Sequence, residues 1–163
     1  MDQGRRDFLK GLALLAVLPR AVWAADTLGK MGGKLIMSNA EWKKKLTPQQ
    51  YDVLREEGTE RPFSSPLNDE HRKGEFVCAA CDQELFDSKA KFDSGTGWPS
   101  FYQPIAKDAV ETTTDYKLVV PRTEVHCARC GGHLGHVFND GPQPTGLRYC
   151  MNGVAMKFVP TGK

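Results

Sequence analysis

The chain has 163 residues, 40% of them hydrophobic and 26% charged, with a formal net charge of +2. That is room for one ordinary globular domain and a short additional segment. The charge surplus lies in the first 24 residues, where Arg5, Arg6, Lys10 and Arg20 stand against Asp2 and Asp7; of 22 basic and 20 acidic residues, 18 of each remain, and a neutral domain lacks the electrostatic footprint of a binder of nucleic acid or anionic membrane.

Residues 1–24 read as an export signal: Arg5-Arg6-Asp7-Phe8-Leu9-Lys10, an apolar run from Gly11 to Leu18, then Pro19-Arg20-Ala21-Val22-Trp23-Ala24. The order is that of a charged segment, a hydrophobic segment and a small-residue cleavage site, here after Ala24. The apolar run is far short of the roughly 20 residues that span a bilayer, so no stable membrane span is expected. The paired arginines resemble a twin-arginine signal, which implies a bacterial periplasmic destination. The bland alternative is a basic amphipathic surface helix. Residues 25–37, with Gly29, Gly32 and Gly33, read as a flexible linker, and 38–163 as the folded domain.

Ser38-Asn39-Ala40-Glu41 is a capping box opening a short helix that carries Trp42 and Leu46. Thr47-Pro48-Gln49-Gln50 opens a second, with Tyr51, Val53 and Leu54 inward and Gly58 as the stop. From Arg61 onward short β-rich runs separated by Gly, Pro and Asp take over: 75–79, 110–115, 117–121, 123–127, 135–138 and 148–159. The expected architecture is a mainly β, mostly antiparallel single domain behind two short helices.

Cys78-Ala79-Ala80-Cys81 and Cys127-Ala128-Arg129-Cys130 are two C-x-x-C turns. Four thiolates in this spacing suit one tetrahedral Zn²⁺ per chain with a closed, hence structural, shell. Iron with four cysteine ligands competes for the same geometry, and redox-active disulfides are a further alternative. The fifth cysteine, Cys150, lies in Arg148-Tyr149-Cys150-Met151-Asn152. On a strand, Arg148, Cys150 and Asn152 share one face, a cation and an amide beside a thiol. The competing reading is a small buried apolar cysteine. His133 and His136 face opposite ways on a regular strand, but Gly131, Gly132 and Gly135 favour a bulge that turns both toward one pocket. His71 and His126 read as structural, and Asp140, in Asn139-Asp140-Gly141-Pro142, as a turn residue. Trp98, in the Gly- and aromatic-rich run 92–102, is either a core anchor or a pocket wall.

Taken together, GTERPFSSPL (58–67), FVCAACDQELF (76–86), KFDSGTGWPSFYQPI (91–105), HCARCGGHLGHVFNDGPQPTG (126–146) and LRYCMNGVAMKF (147–158) resemble the B-type peptide methionine sulfoxide reductases. The resemblance implies a fold of two antiparallel sheets, structural zinc on Cys78, Cys81, Cys127 and Cys130, and Cys150 as nucleophile on methionine-R-sulfoxide, protein-bound or free. It implies that His136 and Asn152 orient substrate, that His133, Arg148 and Asp140 form the surrounding polar shell, and that Trp98 packs on the S-methyl group. Proton delivery falls to His136 or His133. Many members carry a second, resolving cysteine where this chain has Thr96. A one-cysteine cycle in a monomer is therefore expected, with the sulfenic acid reduced by an external thiol or thioredoxin-like partner. Two other classes compete: a non-enzymatic zinc module with Cys150 buried, and a thiol–disulfide oxidoreductase that uses the C-x-x-C pairs.

Overall fold

In the computed structural model, residues 33–117 and 120–162 are described, so the predicted leader and most of the predicted linker lie outside the described residues. The helices α1 (Asn39–Lys45) and α2 (Pro48–Glu56) both start on reciprocal capping boxes. Ser38 accepts the Glu41 N–H at 3.4 Å while the Glu41 carboxylate accepts the Ser38 N–H at 2.8 Å. Thr47 and Gln50 repeat the exchange at 3.2 and 3.1 Å. The sequence placed the stop of α2 at Gly58, but the left-handed residue is Glu57, at φ 56°. Gly58 instead leaves room for the Asp52 side chain, whose Oδ2 lies 2.2 Å from where a Cβ would stand. At the end of the predicted linker, the Leu35 N–H donates to Arg129 O at 2.6 Å, and Leu35 and Met37 pack on the core.

Among the described residues nine strands form two antiparallel sheets, as expected. β1 (Gly74–Cys78) lies between β2 (Glu84–Asp87) and β9 (Met156–Pro160) in the smaller. The larger has the order β3 (Lys91–Phe92), β4 (Ser100–Phe101), β8 (Arg148–Met151), β7 (His133–Phe138), β6 (Arg122–Cys127), β5 (Val110–Asp115). A rung of aromatics joins the sheets. Phe76, paired with Phe86 and Phe158 across the small sheet, meets Phe101 of the large one edge-on at 4.9 Å. Phe86 stacks on Phe101 at 4.3 Å, and Phe76, Phe86 and Phe101 are all fully buried.

Two expected strands are corrected. The run 117–121 forms no strand among its described residues: the Lys117 N–H turns back onto Asp115 Oδ1 at 2.8 Å, and Pro121 has no N–H to give a ladder. The run 148–159 is two strands in different sheets, divided by a 3₁₀ turn over Gly153–Ala155. The chain crosses there because only a glycine fits; a Cβ at Gly153 would lie 1.9 Å from Ser65 Oγ. Among the described residues no helix is long and apolar enough to cross a membrane.

Candidate active site

One rung of the large sheet carries most of the polar chemistry. Ser100 of β4 pairs with Cys150 of β8, Cys150 with His136 of β7, His136 with Glu124 of β6, and Glu124 with Thr113 of β5. Residues opposite one another in a ladder point to the same face, so register alone sets His136 beside Cys150. Gly135 allows the two strands to close here, since a Cβ would lie 2.1 Å from the Cys150 carbonyl oxygen.

The expected bulge is present. Val125 pairs with Gly135 but His126 with His133, so β7 carries one extra residue and both rings turn to one face. The rings meet edge-on with centroids 5.5 Å apart. His133 Nδ1 lies 2.7 Å from Glu124 Oε1, and His136 Nε2 lies 2.8 Å from Asp115 Oδ2. Asp115 also accepts from the Lys117 N–H and from Arg122 at 2.6 Å, and these bonds, with that to His136, hold its carboxyl well below the usual range. Burial pushes Glu124 up, but the bonds from His133 and Thr113 outweigh it and its net shift is downward. Burial lowers the His136 pKa against the pull of Asp115, so the ring is held toward its neutral form.

Asn152 lies just past the end of β8 and not on it, contrary to the expected Arg148-Cys150-Asn152 face. Its side chain is 3% exposed and committed to backbone: Oδ1 accepts the Glu60 N–H at 3.0 Å and Nδ2 donates to Leu134 O at 3.1 Å. Arg148 does share the Cys150 face, stacked 4.4 Å over Phe138 and gripping Asp140 with two bonds of 2.8 and 2.7 Å. Asp140 is thus an anchor for Arg148 as well as a turn residue. Its bond, ahead of the nearby Cys150, raises the Arg148 pKa.

Sequence reasoning missed Glu60, which is 6% exposed. Its carboxylate accepts the Gly153 N–H at 2.5 Å and the Val154 N–H at 3.0 Å, and its carbonyl accepts the Trp98 indole N–H at 3.1 Å. One residue therefore fixes Trp98, Asn152 and the turn after Cys150. Burial raises its pKa and the two N–H donors oppose the rise. Arg122 was missed too; its Nε is the one buried side-chain donor without a partner among the described residues. No local signal marks either residue, since their roles come from pairing and crossing.

Cys150, half-buried, opens on a pocket of about 120 Å³ lined by Thr59, Trp98, Arg122, His136, Phe138 and Asn152. His133, 4% exposed, stands behind that wall. The predicted metal ligands meet elsewhere. The knuckle between β1 and β2 and that between β6 and β7 bring the four sulfurs within 4.8 Å of one another, with Cys78–Cys130 at 3.7 Å and Cys81–Cys127 at 3.6 Å. A tetrahedron with metal–sulfur bonds of about 2.3 Å has edges of about 3.8 Å, which these two distances match, so the four thiols suit one metal ion. The knuckles are built alike: the Asp82 N–H returns to Cys78 O at 2.9 Å and the Gly131 N–H to Cys127 O at 2.8 Å, with both turn residues left-handed.

An accessible thiol beside paired histidine, carboxylate and arginine, on a two-sheet fold that gathers four further thiols at one point, is the equipment of a thiol enzyme. The family described as SelR domain matches residues 46–160. The peptide methionine sulfoxide reductase MsrB of Agrobacterium fabrum is 55% identical over 127 residues, 78% of this chain and 94% of its own length. The MsrB of Methanosarcina barkeri is 60% identical over 121 residues, 74% of this chain and 85% of its own length. The chain belongs to this family, the B-type peptide methionine sulfoxide reductases.

Glu60→Gln turns an amide NH₂ onto a backbone N–H that now meets a carboxylate oxygen. The unfolding free energy in urea should fall by roughly 2 kcal/mol, and sulfoxide turnover should fall with it. Parent-like stability and turnover would remove Glu60 from its place at the centre of the site.

Proposed function

We propose that this protein reduces methionine-R-sulfoxide, free or within proteins, with Cys150 as the only reacting cysteine. The observation that carries the proposal is the cross-strand pair of Cys150 and His136 opening on a pocket walled by Trp98 and Phe138. The indole and phenyl rings suit a methyl thioether, and Thr59, Arg122 and His136 form the polar side of the pocket. The Cys150 sulfur attacks the sulfoxide sulfur and the sulfoxide oxygen is protonated. The oxygen then passes to Cys150 as sulfenic acid, and methionine leaves reduced by two electrons. Two external thiols return Cys150 to the thiol, leaving a disulfide and water.

Of the two histidines, His136 lines the pocket, and we assign proton delivery to it. A ring pressed toward its neutral form gives up an acquired proton readily. His133, pinned by Glu124, orients it, while Arg122 supplies a cationic donor for the developing charge on oxygen. An external reductant is supported by what surrounds the thiol. The side chain in contact with Cys150 is the hydroxyl of Thr96, at 3.7 Å, and the other four cysteines are gathered in the metal cradle.

With dithiothreitol as reductant, the R epimer alone should be consumed, and Cys150→Ser should lower turnover by at least about 10³-fold. Mass spectrometry after one turnover without reductant should find one added oxygen on Cys150. Equal use of both epimers would overturn the stereochemical assignment, and a disulfide from Cys150 would overturn the one-cysteine cycle.

We assign the cradle to Zn²⁺, held by Cys78, Cys81, Cys127 and Cys130. There it would supply a structural cross-link and take no part in the reaction, since four thiolates close its shell. Elemental analysis should find one zinc per chain, and Cys81→Ser should lose it and lower the thermal midpoint by about 10 °C or more. Iron in its place would correct the metal and leave the site unchanged.

We also propose that residues 1–24 direct the folded protein through a twin-arginine route to a bacterial periplasm, which supports loading of the metal before export. The mature protein in the periplasmic fraction should begin at Ala25. Replacing Arg5 and Arg6 with lysine should leave full-length chain in the cytoplasm, and an uncleaved chain in the parent would contradict the assignment.

A further inference from the structure

Thr96 does more than touch the reacting sulfur. Its Oγ1 lies 3.7 Å from Cys150 Sγ and 2.8 Å from Ser94 Oγ. Ser94 Oγ lies 2.7 Å from Ser100 Oγ, and the Ser100 hydroxyl donates to Trp98 O at 3.1 Å. This is a row of three hydroxyls that begins at the sulfur and ends on a backbone carbonyl, with the Thr96 N–H also donating to Ser94 Oγ at 3.5 Å and so leaving Ser94 one lone pair for its neighbours in either direction. Ser100 is 1% exposed and opposite Cys150 in the ladder, so register holds both ends of the row.

Each hydroxyl has one hydrogen and two lone pairs, and that fixes two arrangements. When Cys150 is a thiol, its S–H points to Thr96, Thr96 donates to Ser94, Ser94 to Ser100, and Ser100 to the carbonyl. When Cys150 is a thiolate it can only accept. The row then turns over: Ser100 donates to Ser94, Ser94 to Thr96, and Thr96 to the sulfur. Only hydroxyl rotors move. The terminal carbonyl has no proton to give, so the row carries no proton to or from the site. It can reverse its polarity and nothing else.

We infer that Thr96, backed by Ser94 and Ser100, is a positioning residue that acts as a reversible hydrogen-bond anchor for the Cys150 sulfur, accepting from its thiol and donating to its thiolate. The inference rests on Cys150 being the nucleophile. It gives the hydroxyl at position 96 a role in preparing the thiolate, because a bond to an ionised acceptor is stronger than the neutral bond it replaces. It also leaves protonation of the sulfoxide oxygen to the His136 side.

Other charges face the sulfur. Arg148 with Asp140 lies on its own strand and the turn before it, and His136 lies on β7 with Asp115 of β5 and Arg122 of β6 behind it. Glu124 and His133 bond each other next along the sheet. The Glu60 carboxylate is committed to Gly153 and Val154, and Asp93 is turned onto the Gly95 N–H. None of these is altered by substitution at 94 or 96, so differences between variants report the hydroxyls.

The test is the rate of Cys150 alkylation by iodoacetamide against pH in the metal-loaded full chain, with the modified residue confirmed by peptide mass. Thr96→Val, which keeps shape and removes the hydroxyl, should raise the pH midpoint by about one unit, a tenfold loss of thiolate at neutral pH. Thr96→Ser should keep the parent midpoint. Ser94→Ala removes the hydroxyl that donates to Thr96 in the thiolate arrangement, so its midpoint should rise, by less than in Thr96→Val. An unmoved midpoint in Thr96→Val, an equal shift in Thr96→Ser, or an unmoved or lowered midpoint in Ser94→Ala would overturn the inference. Should Thr96→Val fail to fold, Ser94→Ala decides alone. The readout needs no sulfoxide, so an active enzyme with an unmoved midpoint refutes the anchor alone, whereas shifted midpoints in an inactive enzyme refute only the reaction.

Discussion

The site depends on one buried carboxylate being satisfied. Glu60 precedes both sheets in the chain, yet its three polar groups hold the turn after Cys150, the Asn152 amide and the Trp98 indole. Taking a carboxylate out of water is costly unless donors replace the solvent, and the Gly153 and Val154 N–H groups do so. Both are free to point at it because the chain leaves one sheet at that point and has not yet entered the other. The strand break that ends β8 just past the thiol and the burial of Glu60 are thus one feature, and the wall of the pocket follows from it.

The two sheets are fastened at a distance from the thiol by the four-cysteine cradle. One C-x-x-C turn belongs to the small sheet's β1–β2 hairpin and the other to the large sheet's β6–β7 hairpin. A metal ion bound there would tie together two hairpins that no strand ladder joins, while Phe76, Phe86 and Phe101 fill the space between the sheets. The division of labour is clear in the sulfur chemistry. Four thiols are buried and face one another, and the fifth faces a pocket, so five copies of one side chain stand in two unlike settings that favour different chemistry.

Much of this was legible in the chain itself where the signal is local. The two capping boxes, the knuckle spacing, the solitary cysteine and the glycine-rich run that turns His133 and His136 to one face depend on residues a few positions apart. Where the sequence misled, a non-local contact decided. The stretch 148–159 is uniformly β-rich, and nothing in it announces that Glu60 will capture two of its amides. Gly58 has the composition of a left-handed cap, yet it stands beside the Asp52 side chain while Glu57 takes the left-handed turn. Asn152 looked like a group on the strand face and is instead bound on both sides by backbone.

The sequence by itself determined the class of the fold, the family, the grouping of four cysteines and the separation of Cys150 from them, because spacing and residue type are properties of short segments. Tertiary structure alone decided what surrounds that thiol. Arg122, Asp115 and Glu124 join His136 through strand register, and Ser94, Thr96 and Ser100 line up behind the sulfur through the pairing of β4 with β8. The reason is physical: a ladder fixes which residues stand opposite one another to within a single position, and that choice is made by the packing of both sheets together.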